Sequence, residues 1–214
     1  MFKENDMTRD EFLTKYWRYY YSLESKFINT IEYVELTEIN FHTYSNGFAH
    51  LLLTIGAELD DFFKEYCHFR LDDRRKKISD YAAYIDGKYP TIRDQKIILK
   101  EYNIIISPFE NWNVNCAAES LVWWKAFNEI KHGRAANIEK ATLENVVNIL
   151  GALYLLEMKY LKEITEETND IDIPNEGSRL FELEGWNYNY GNWGNWTVHI
   201  ENGKPVLDGG SALE

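Results

Sequence analysis

The apolar repeat between Thr142 and Glu166 constrains the fold of this chain more than any other feature. Its large hydrophobic residues recur every three or four positions, at Val146, Ile149, Leu150, Leu153, Leu156 and Tyr160. This spacing places them on one side of an α-helix, because each residue advances about 100° around the helix axis. A helix of this length with one apolar face has to bury that face, so we expect it to be a member of the core.

Four further segments are also typical of helices and complete a predicted bundle of about five helices. They span residues 8–34, 45–69, 75–86 and 117–132. The first opens with a capping box, in which Thr8 and Glu11 stand three residues apart. Before the fourth, residues 96–106 have a pattern closer to a strand and are closed by Pro108. We therefore expect an all-α fold with one short extended segment near 96–106.

Size and composition favour one globular core. The chain has 214 residues, of which 45% are hydrophobic and 27% are charged. Its first residues lack a secretion signal, and the longest apolar runs, 48–57 and 146–158, are too short to span a bilayer. Cys67 and Cys116 stand in no motif and are typical of buried thiols in a reducing compartment. We expect a cytoplasmic protein with no membrane partner.

The last part of the chain changes character. The predicted domains are a helical bundle at residues 1–168, an acidic linker with an aromatic arm at 169–208, and a vector-derived tail at 209–214. Asn202-Gly203, between two extended segments, predicts a small β-hairpin in the arm. The tryptophans of the arm, Trp186, Trp193 and Trp196, suit three roles: stacking on bases, covering apolar surface, or contacting a partner protein.

The charge of the chain is acidic overall but unevenly distributed. A net charge of −12 argues against strong sequence-independent binding to nucleic acid, which depends on neutralising phosphates. Between Lys64 and Lys100, however, ten basic residues stand against six acidic ones, a local excess of +4. These residues form either a basic surface on an acidic protein or, as is more common for such runs, a solvated helix of mixed charge.

A polar and aromatic cluster on the fourth helix is the leading candidate for a functional site. It has the sequence WWKAFNEIKHGR, from Trp123 to Arg134. On a helix, one face carries Trp124, Asn128, Lys131 and His132, and another carries Trp123, Phe127 and Ile130. A solvated helix surface rarely requires this choice of residues. The cluster is therefore either an anchored structural network or a site.

Two motifs along this order of helices carry a family resemblance. One is Gly56-Ala57-Glu58-Leu59-Asp60-Asp61-Phe62-Phe63-Lys64 on the second helix. The other runs from Pro108 and Trp112 through Trp123-Trp124 and residues 128–134 to residues 141–145. Over about residues 8–165, the chain resembles the HEPN-like all-α families of prokaryotes. The resemblance implies a helical bundle that forms a homodimer through the helices bearing its polar motif.

The resemblance also implies a function. Many HEPN proteins are metal-independent ribonucleases of toxin–antitoxin and phage-defence systems, whereas others only bind. Active members share an arginine followed four to six residues later by a histidine. Here the order is reversed, in Lys131-His132-Gly133-Arg134. We expect an RNA-linked stress or phage-defence role, with RNA and a partner protein or antitoxin as candidate partners.

As an endoribonuclease, the chain would use the residues of this cluster. His132 would carry the proton, because an imidazole exchanges protons near neutral pH. Lys131 and Arg134 would hold phosphate, on which charge develops in the transition state. Asn128 would orient the imidazole ring or a 2′-hydroxyl.

The second helix adds two catalytic candidates. Glu58 and Asp61 stand about one turn apart and would hold the base or an arginine. In the alternative interpretation, Glu58 or Asp60 pairs with a lysine or arginine across the bundle, and His132 bonds the turn after Gly133. The protein is then a non-catalytic interaction module. Neither a phosphate loop nor a zinc-binding spacing occurs, so we expect no cofactor and no metal.

Overall fold

A computed structural model describes residues 7–70, 76–193, 196–202 and 204–209, and most of them are helical. The helices are α1 (Arg9–Phe12), α2 (Arg18–Ile31), α3 (Asn46–Tyr66), α4 (Ile78–Lys88), α5 (Ala117–Ser120), α6 (Val122–Asn137) and α7 (Leu143–Glu166). A π-helical turn, Leu13–Trp17, joins α1 to α2, so that the two continue as one rod. The prediction of a mainly helical fold is confirmed.

Side-chain caps fix where the main helices begin. The Thr8 hydroxyl accepts from the backbone N–H of Glu11, and the Glu11 carboxylate accepts in return from the N–H of Thr8. The hydroxyls of Ser45 and Thr142 accept in the same way from the third residue beyond them. Each cap satisfies an N–H group that the first helical turn leaves without a partner. The predicted capping box at Thr8 is therefore confirmed.

Helix α7 lies at the centre of the fold. It packs against α1, α2, α3 and α6 and is buried on nearly all sides along its length. At Gly151 the helix packs closely against a small sheet, because a Cβ there would stand 2.7 Å from Cδ1 of Ile106. The predicted apolar stripe is thus only part of the buried surface of α7. Within the described residues, no helix is both long and apolar enough to cross a membrane.

A three-stranded antiparallel sheet covers α7 and corrects the all-α prediction. Its strands are β1 (Ile97–Leu99), β2 (Ile104–Ile106) and β3 (Phe181–Leu183), in the order β2-β1-β3. The single extended segment expected near 96–106 is a hairpin, and its third strand comes from a distant part of the chain. Three-residue strands carry too short a pattern to reveal this pairing.

The C-terminal arm forms a second antiparallel sheet. Its strands are β4 (Tyr188–Trp193), β5 (Trp196–Glu201) and β6 (Lys204–Gly209), paired in sequence order. Strands β5 and β6 pair from Glu201 and Lys204 onward, on either side of the hairpin turn expected there, and Asn202 adopts φ +50°, as tight hairpin turns require. The arm is thus three-stranded, where the sequence predicts two strands. The side chains of Trp193 and Trp196 and residues 210–214 lie outside the described part.

The segment after α7 lies against the first two helices. The guanidinium of Arg9 donates to the carbonyl oxygens of Ile171 and Ile173, at 2.7 Å each. Glu24, which is fully buried, accepts from the N–H groups of Arg179 at 3.0 Å and Leu180 at 3.1 Å. These bonds place the chain for β3, whose Phe181 and Leu183 are buried. The core therefore continues beyond residue 168.

Candidate functional site

Aromatic side chains anchor α6, which carries the polar cluster. The ring of Phe127 occupies the space that a Cβ on Gly56 would need, with an approach of 2.3 Å. Trp124 meets the ring of Phe63 edge-on, with centroids 5.9 Å apart. The indole N–H of Trp123 donates to the carbonyl oxygen of Pro108 at 2.8 Å. Both tryptophans are buried structural anchors, and they fix the direction in which the polar residues of α6 point.

The polar face of α6 forms one wall of an open groove of about 490 Å³. Its polar and charged lining consists of Asp60, Lys76, Lys77, Asn128, Lys131 and His132, over a floor that includes Trp124 and Phe127. We call it the lysine groove. With His132 neutral, the described residues of its lining, three lysines and one aspartate, sum to a net charge of +2, in a chain whose net charge is −12. The groove is therefore a local cationic site on an acidic protein.

Three of the predicted site residues, Asn128, Lys131 and His132, share this groove. His132 is exposed, and among the described residues we find no hydrogen bond or ion pair to its ring. The Lys131 ammonium lies 5.1 Å from the ring centroid of Phe127, in a cation–π contact. The Asn128 amide donates to the carbonyl oxygen of Trp124 at 2.9 Å. The imidazole of His132 is thus open to a ligand, while its two neighbours are held in place.

His132 and Asn128 stand on a ridge, because a second cleft runs along the other side of α6. This cleft has a volume of about 430 Å³ and includes Glu119, Lys125 and Glu129. Its lysine pairs with Glu119 at 2.6 Å. Since two carboxylates stand against one paired lysine, the second cleft offers no excess of positive charge. An anionic ligand of His132 is therefore favoured only in the lysine groove.

Arg134, the fourth predicted residue of the cluster, is directed elsewhere. Helix α6 is interrupted at Gly133, whose φ of −167° and ψ of 54° are not helical. Beyond this break, the guanidinium of Arg134 donates to the side-chain oxygen of Asn46 at 3.0 Å. The Asn137 amide secures the break by donating to the carbonyl oxygens of Glu129 and Gly133. Arg134 therefore holds the start of α3 and does not line the groove.

Glu58 and Asp61 do not line the lysine groove either. Asp61 pairs with Arg70 through contacts of 2.7 and 3.0 Å and with Lys64 at 3.5 Å. The hydrogen bond from Arg70 holds the pKa of Asp61 below its ordinary value. Burial, and then the negative charge of Asp61, raise the pKa of Glu58. Among the described residues, we find no bond from either carboxylate to His132; Asp61 holds an arginine, but that arginine is Arg70.

Arg70 belongs to a network that is satisfied from within the fold. Its guanidinium also donates to Glu65 at 2.7 Å and to the hydroxyl of Tyr16 at 2.6 Å. The other carboxylate oxygen of Glu65 accepts from the hydroxyl of Tyr160 at 3.1 Å. Burial raises the pKa of Tyr16 to about 12, so this phenol keeps its proton at neutral pH. The network joins α3, α7 and the π-helical turn, and its role is structural.

Sequence reasoning missed three residues that complete the groove. Lys76 and Lys77 bring the charge, and their signal was the basic excess between Lys64 and Lys100. Asp60 was considered only as a structural partner, yet it is the acidic residue of α3 that lines the groove. Residues that are adjacent in the motif from Glu58 to Lys64 lie on different faces of the helix, so Asp60 lines the groove while Glu58 and Asp61 do not. Among the described residues, no group of three or more His, Cys, Asp or Glu is placed to hold a metal ion.

The fold and this groove define a mainly helical protein with a cationic surface groove on an acidic body. Comparisons of the chain with protein-family models, with curated proteins and with solved structures give no match. The likeness to HEPN-like proteins therefore rests on the sequence motifs alone and stays a prediction.

Proposed function

We propose that this protein binds RNA in the lysine groove and cleaves it there without a metal ion, using His132 as the proton carrier. The observation that carries the proposal is the joint placement of Lys76, Lys77 and Lys131 around one accessible imidazole. Phosphodiesters are bound chiefly through neutralisation of their charge, which these ammonium groups supply. The acidic remainder of the chain repels RNA and so confines it to the groove.

The imidazole of His132 suits one reaction of RNA in particular. It accepts the proton of a 2′-hydroxyl while the 2′-oxygen attacks the adjacent phosphorus, and the bond from phosphorus to the 5′-oxygen breaks. The leaving 5′-oxygen takes a proton from the resulting imidazolium. The products are a 2′,3′-cyclic phosphate and a free 5′-hydroxyl. Lys131, one residue away, stabilises the charge that develops on the phosphate oxygens.

The family resemblance gives the proposal a biological setting. A HEPN-like homodimer that cleaves RNA fits a stress or phage-defence role in the cytoplasm, with an antitoxin or another protein as its partner. Of the residues predicted for such a site, His132, Lys131 and Asn128 belong to the proposed one. Arg134, Glu58 and Asp61 lie outside it. It adds Lys76 and Lys77 as the residues that hold the RNA backbone.

RNA binding is tested first, separately from cleavage. A labelled single-stranded RNA of about twelve nucleotides, within the site sizes of such proteins, is titrated in EDTA and followed by fluorescence anisotropy. We expect Lys77→Ala and Lys131→Ala each to weaken binding by about fivefold, and Lys26→Ala, an exposed lysine on α2, to leave it unchanged. Equal affinities for all four proteins would place RNA outside the groove.

Cleavage is tested with total tRNA and a mixed single-stranded RNA, again in EDTA. We expect His132→Ala to lose about a hundredfold or more in rate while it still binds RNA. The matched control is His50→Ala, because His50 is also exposed but stands on α3 outside the groove. RNA in which deoxyribose replaces ribose should bind and stay intact. Equal cleavage by the wild type and His132→Ala would reject the assignment.

One observation favours a second candidate, a non-catalytic interaction module. Arg134 and Asp61, two of the charged residues expected in the active site, are bound to Asn46 and Arg70. If RNA binds but stays intact in every assay, the groove is a binding surface only. In that case the protein would act by occupying RNA or by recruiting a partner.

A further inference from the structure

Strand β2 is an edge of the sheet on α7 and leaves one side of its backbone free. The order of the sheet is β2-β1-β3, so β2 has a strand on one side only. The N–H of Lys100 donates to the carbonyl oxygen of Leu180, and the N–H of Glu184 donates to the carbonyl oxygen of Lys96. The even-numbered residues in and beside β1 therefore form their backbone hydrogen bonds on the β3 side. Ile97 and Leu99 then bond to β2, because antiparallel partners alternate. Ile105, opposite Ile98, therefore points its N–H and C=O away from the sheet.

A groove of about 280 Å³, lined by polar and apolar residues in equal number, runs beside this free edge. Its lining includes Phe41, Ile105, Leu121 and Val122. Ile105 is 55% exposed and Val122 is 69% exposed, which is high for large aliphatic side chains in a well-packed protein. An unpaired strand edge next to exposed aliphatic side chains offers both elements that an added strand uses: backbone groups and a place for alternate side chains.

The charge of this edge groove selects the kind of occupant. Two carboxylates, Glu110 and Glu144, stand on its lining, and no lysine or arginine is among the described residues that line it. The imidazole of His42 lies 3.9 Å from the Glu144 carboxylate. The groove thus attracts positive charge, in contrast to the lysine groove farther along α6. A second copy of the chain, with its net charge of −12, is electrostatically mismatched to this edge.

We propose that an extended segment of a partner protein, with aliphatic residues alternating with Lys or Arg, adds to β2 as a fourth strand. Its backbone pairs with the outward N–H and C=O of Ile105. One aliphatic side chain enters the groove between Ile105 and Val122, and a cationic side chain meets Glu110 or Glu144. This surface is separate from the lysine groove, and the proposal does not depend on RNA binding.

The test begins with a defined probe, a phage-displayed library of random dodecapeptides selected on the full chain. We expect enriched peptides to alternate aliphatic and polar residues and to carry net positive charge. Their affinities are then measured with synthetic peptides by calorimetry. Failure to enrich any peptide, or enrichment of acidic ones, would overturn the proposal.

Two kinds of variant localise the bound peptide. Ile105→Pro removes the outward N–H without touching the ladder to β1, and proline is tolerated at such edge positions. It should lower the affinity for the peptide about tenfold, which corresponds to the loss of one backbone hydrogen bond. Ile105→Val should leave the affinity unchanged. The double change Glu110→Gln with Glu144→Gln removes both charges in case the proline variant folds poorly, and should also weaken binding.

The remaining outcomes are equally decisive. Peptides that bind wild type, Ile105→Pro and the double glutamine variant with the same affinity would place the peptide elsewhere and refute the proposal. Ile39→Ala serves as the control, because Ile39 is 94% exposed and stands outside this groove. If no peptide binds but the chain itself dimerises and Ile105→Pro abolishes the dimer, the occupant is a second copy and the proposal fails.

Discussion

Gly56 determines how closely the site helix approaches α3. Because the ring of Phe127 lies where a Cβ would be, Gly56→Ala has to push α6 away or distort the ring. We expect a loss of about 1–3 kcal/mol in the free energy of unfolding, despite the better helix propensity of alanine. Gly87→Ala is the matched control: no atom lies within 4 Å of a Cβ there, and a gain of about 0.5–1 kcal/mol is expected. Urea denaturation measures both.

Glu157 makes the stability of the protein depend on pH. It is fully buried on α7, neither carboxylate oxygen has a hydrogen-bond partner among the described residues, and burial, followed by the charge of Glu58, raises its pKa well above 4.5. Above about pH 4.5, Glu157 therefore keeps a proton in the native state that it loses in the unfolded chain. Its contribution to the unfolding free energy is complete below that pH and declines as the pH rises toward the native pKa.

We therefore expect Glu157→Gln to stabilise the protein at neutral pH and to flatten the decline in unfolding free energy as the pH rises above about 4.5. The glutamine keeps the shape of the protonated acid and cannot ionise. Chemical denaturation at a series of pH values provides the measurement. Asp61→Asn is the contrast: the lowered pKa of Asp61 stabilises the native state above its unfolded pKa, and this contribution changes with pH only at acidic pH. The substitution should therefore lower the unfolding free energy at neutral pH without changing its slope there. A decline of equal slope in wild type and Glu157→Gln would contradict the assignment.

At the scale of secondary-structure elements, Glu24 joins the C-terminal segment to the bundle. Its carboxylate accepts from the hydroxyl of Tyr20 at 2.9 Å, from the Ser178 hydroxyl, and from the two N–H groups ahead of β3. Glu24→Ala leaves these buried donors without a partner, and we expect a loss of about 3 kcal/mol or more. Hydrogen exchange should show faster exchange at residues 179–183. Glu32→Ala, an exposed glutamate at the end of α2, should change neither.

The sequence predicted the helices well because each carries its own local signals. The capping residues Thr8, Ser45 and Thr142 lie within the first turn of the helices they start, and the long apolar repeat lies within the helix it predicts. Strand β3 has no such signal: Phe181-Glu182-Leu183 becomes a strand only because β1 lies beside it, more than 80 residues away in the chain. Pairing at that distance follows from tertiary packing.

The candidate site was predicted in part for the same reason. Asn128, Lys131 and His132 lie on one helix, so their shared face follows from helical geometry. Lys76 and Lys77 reach the groove from outside that helix, which no spacing within α6 indicates. Arg134, predicted to hold phosphate beside His132, instead bonds Asn46, because it follows the backbone break at Gly133, which no helical spacing indicates.

For the whole molecule, the separation of charge predicts a strong dependence of RNA affinity on salt. If Lys77 and Lys131 each release one counterion, the slope of log affinity against log salt should be about −1.4 for single-stranded RNA. Each lysine-to-alanine change should reduce the slope by about 0.7, while Lys26→Ala keeps the wild-type slope. Anisotropy titrations at several salt concentrations measure it. A salt-independent affinity would show that phosphate neutralisation does not drive binding.

The break in α6 has a consequence for evolution. The helix that holds His132 is fastened upstream, where Phe127 meets Gly56, and the regular backbone stops one residue after the imidazole. Insertions or deletions between Asn137, whose amide secures the break, and α7 would therefore change the length of the connection without moving the ring. Descendants of this chain are free to vary that connection while they inherit an unchanged groove.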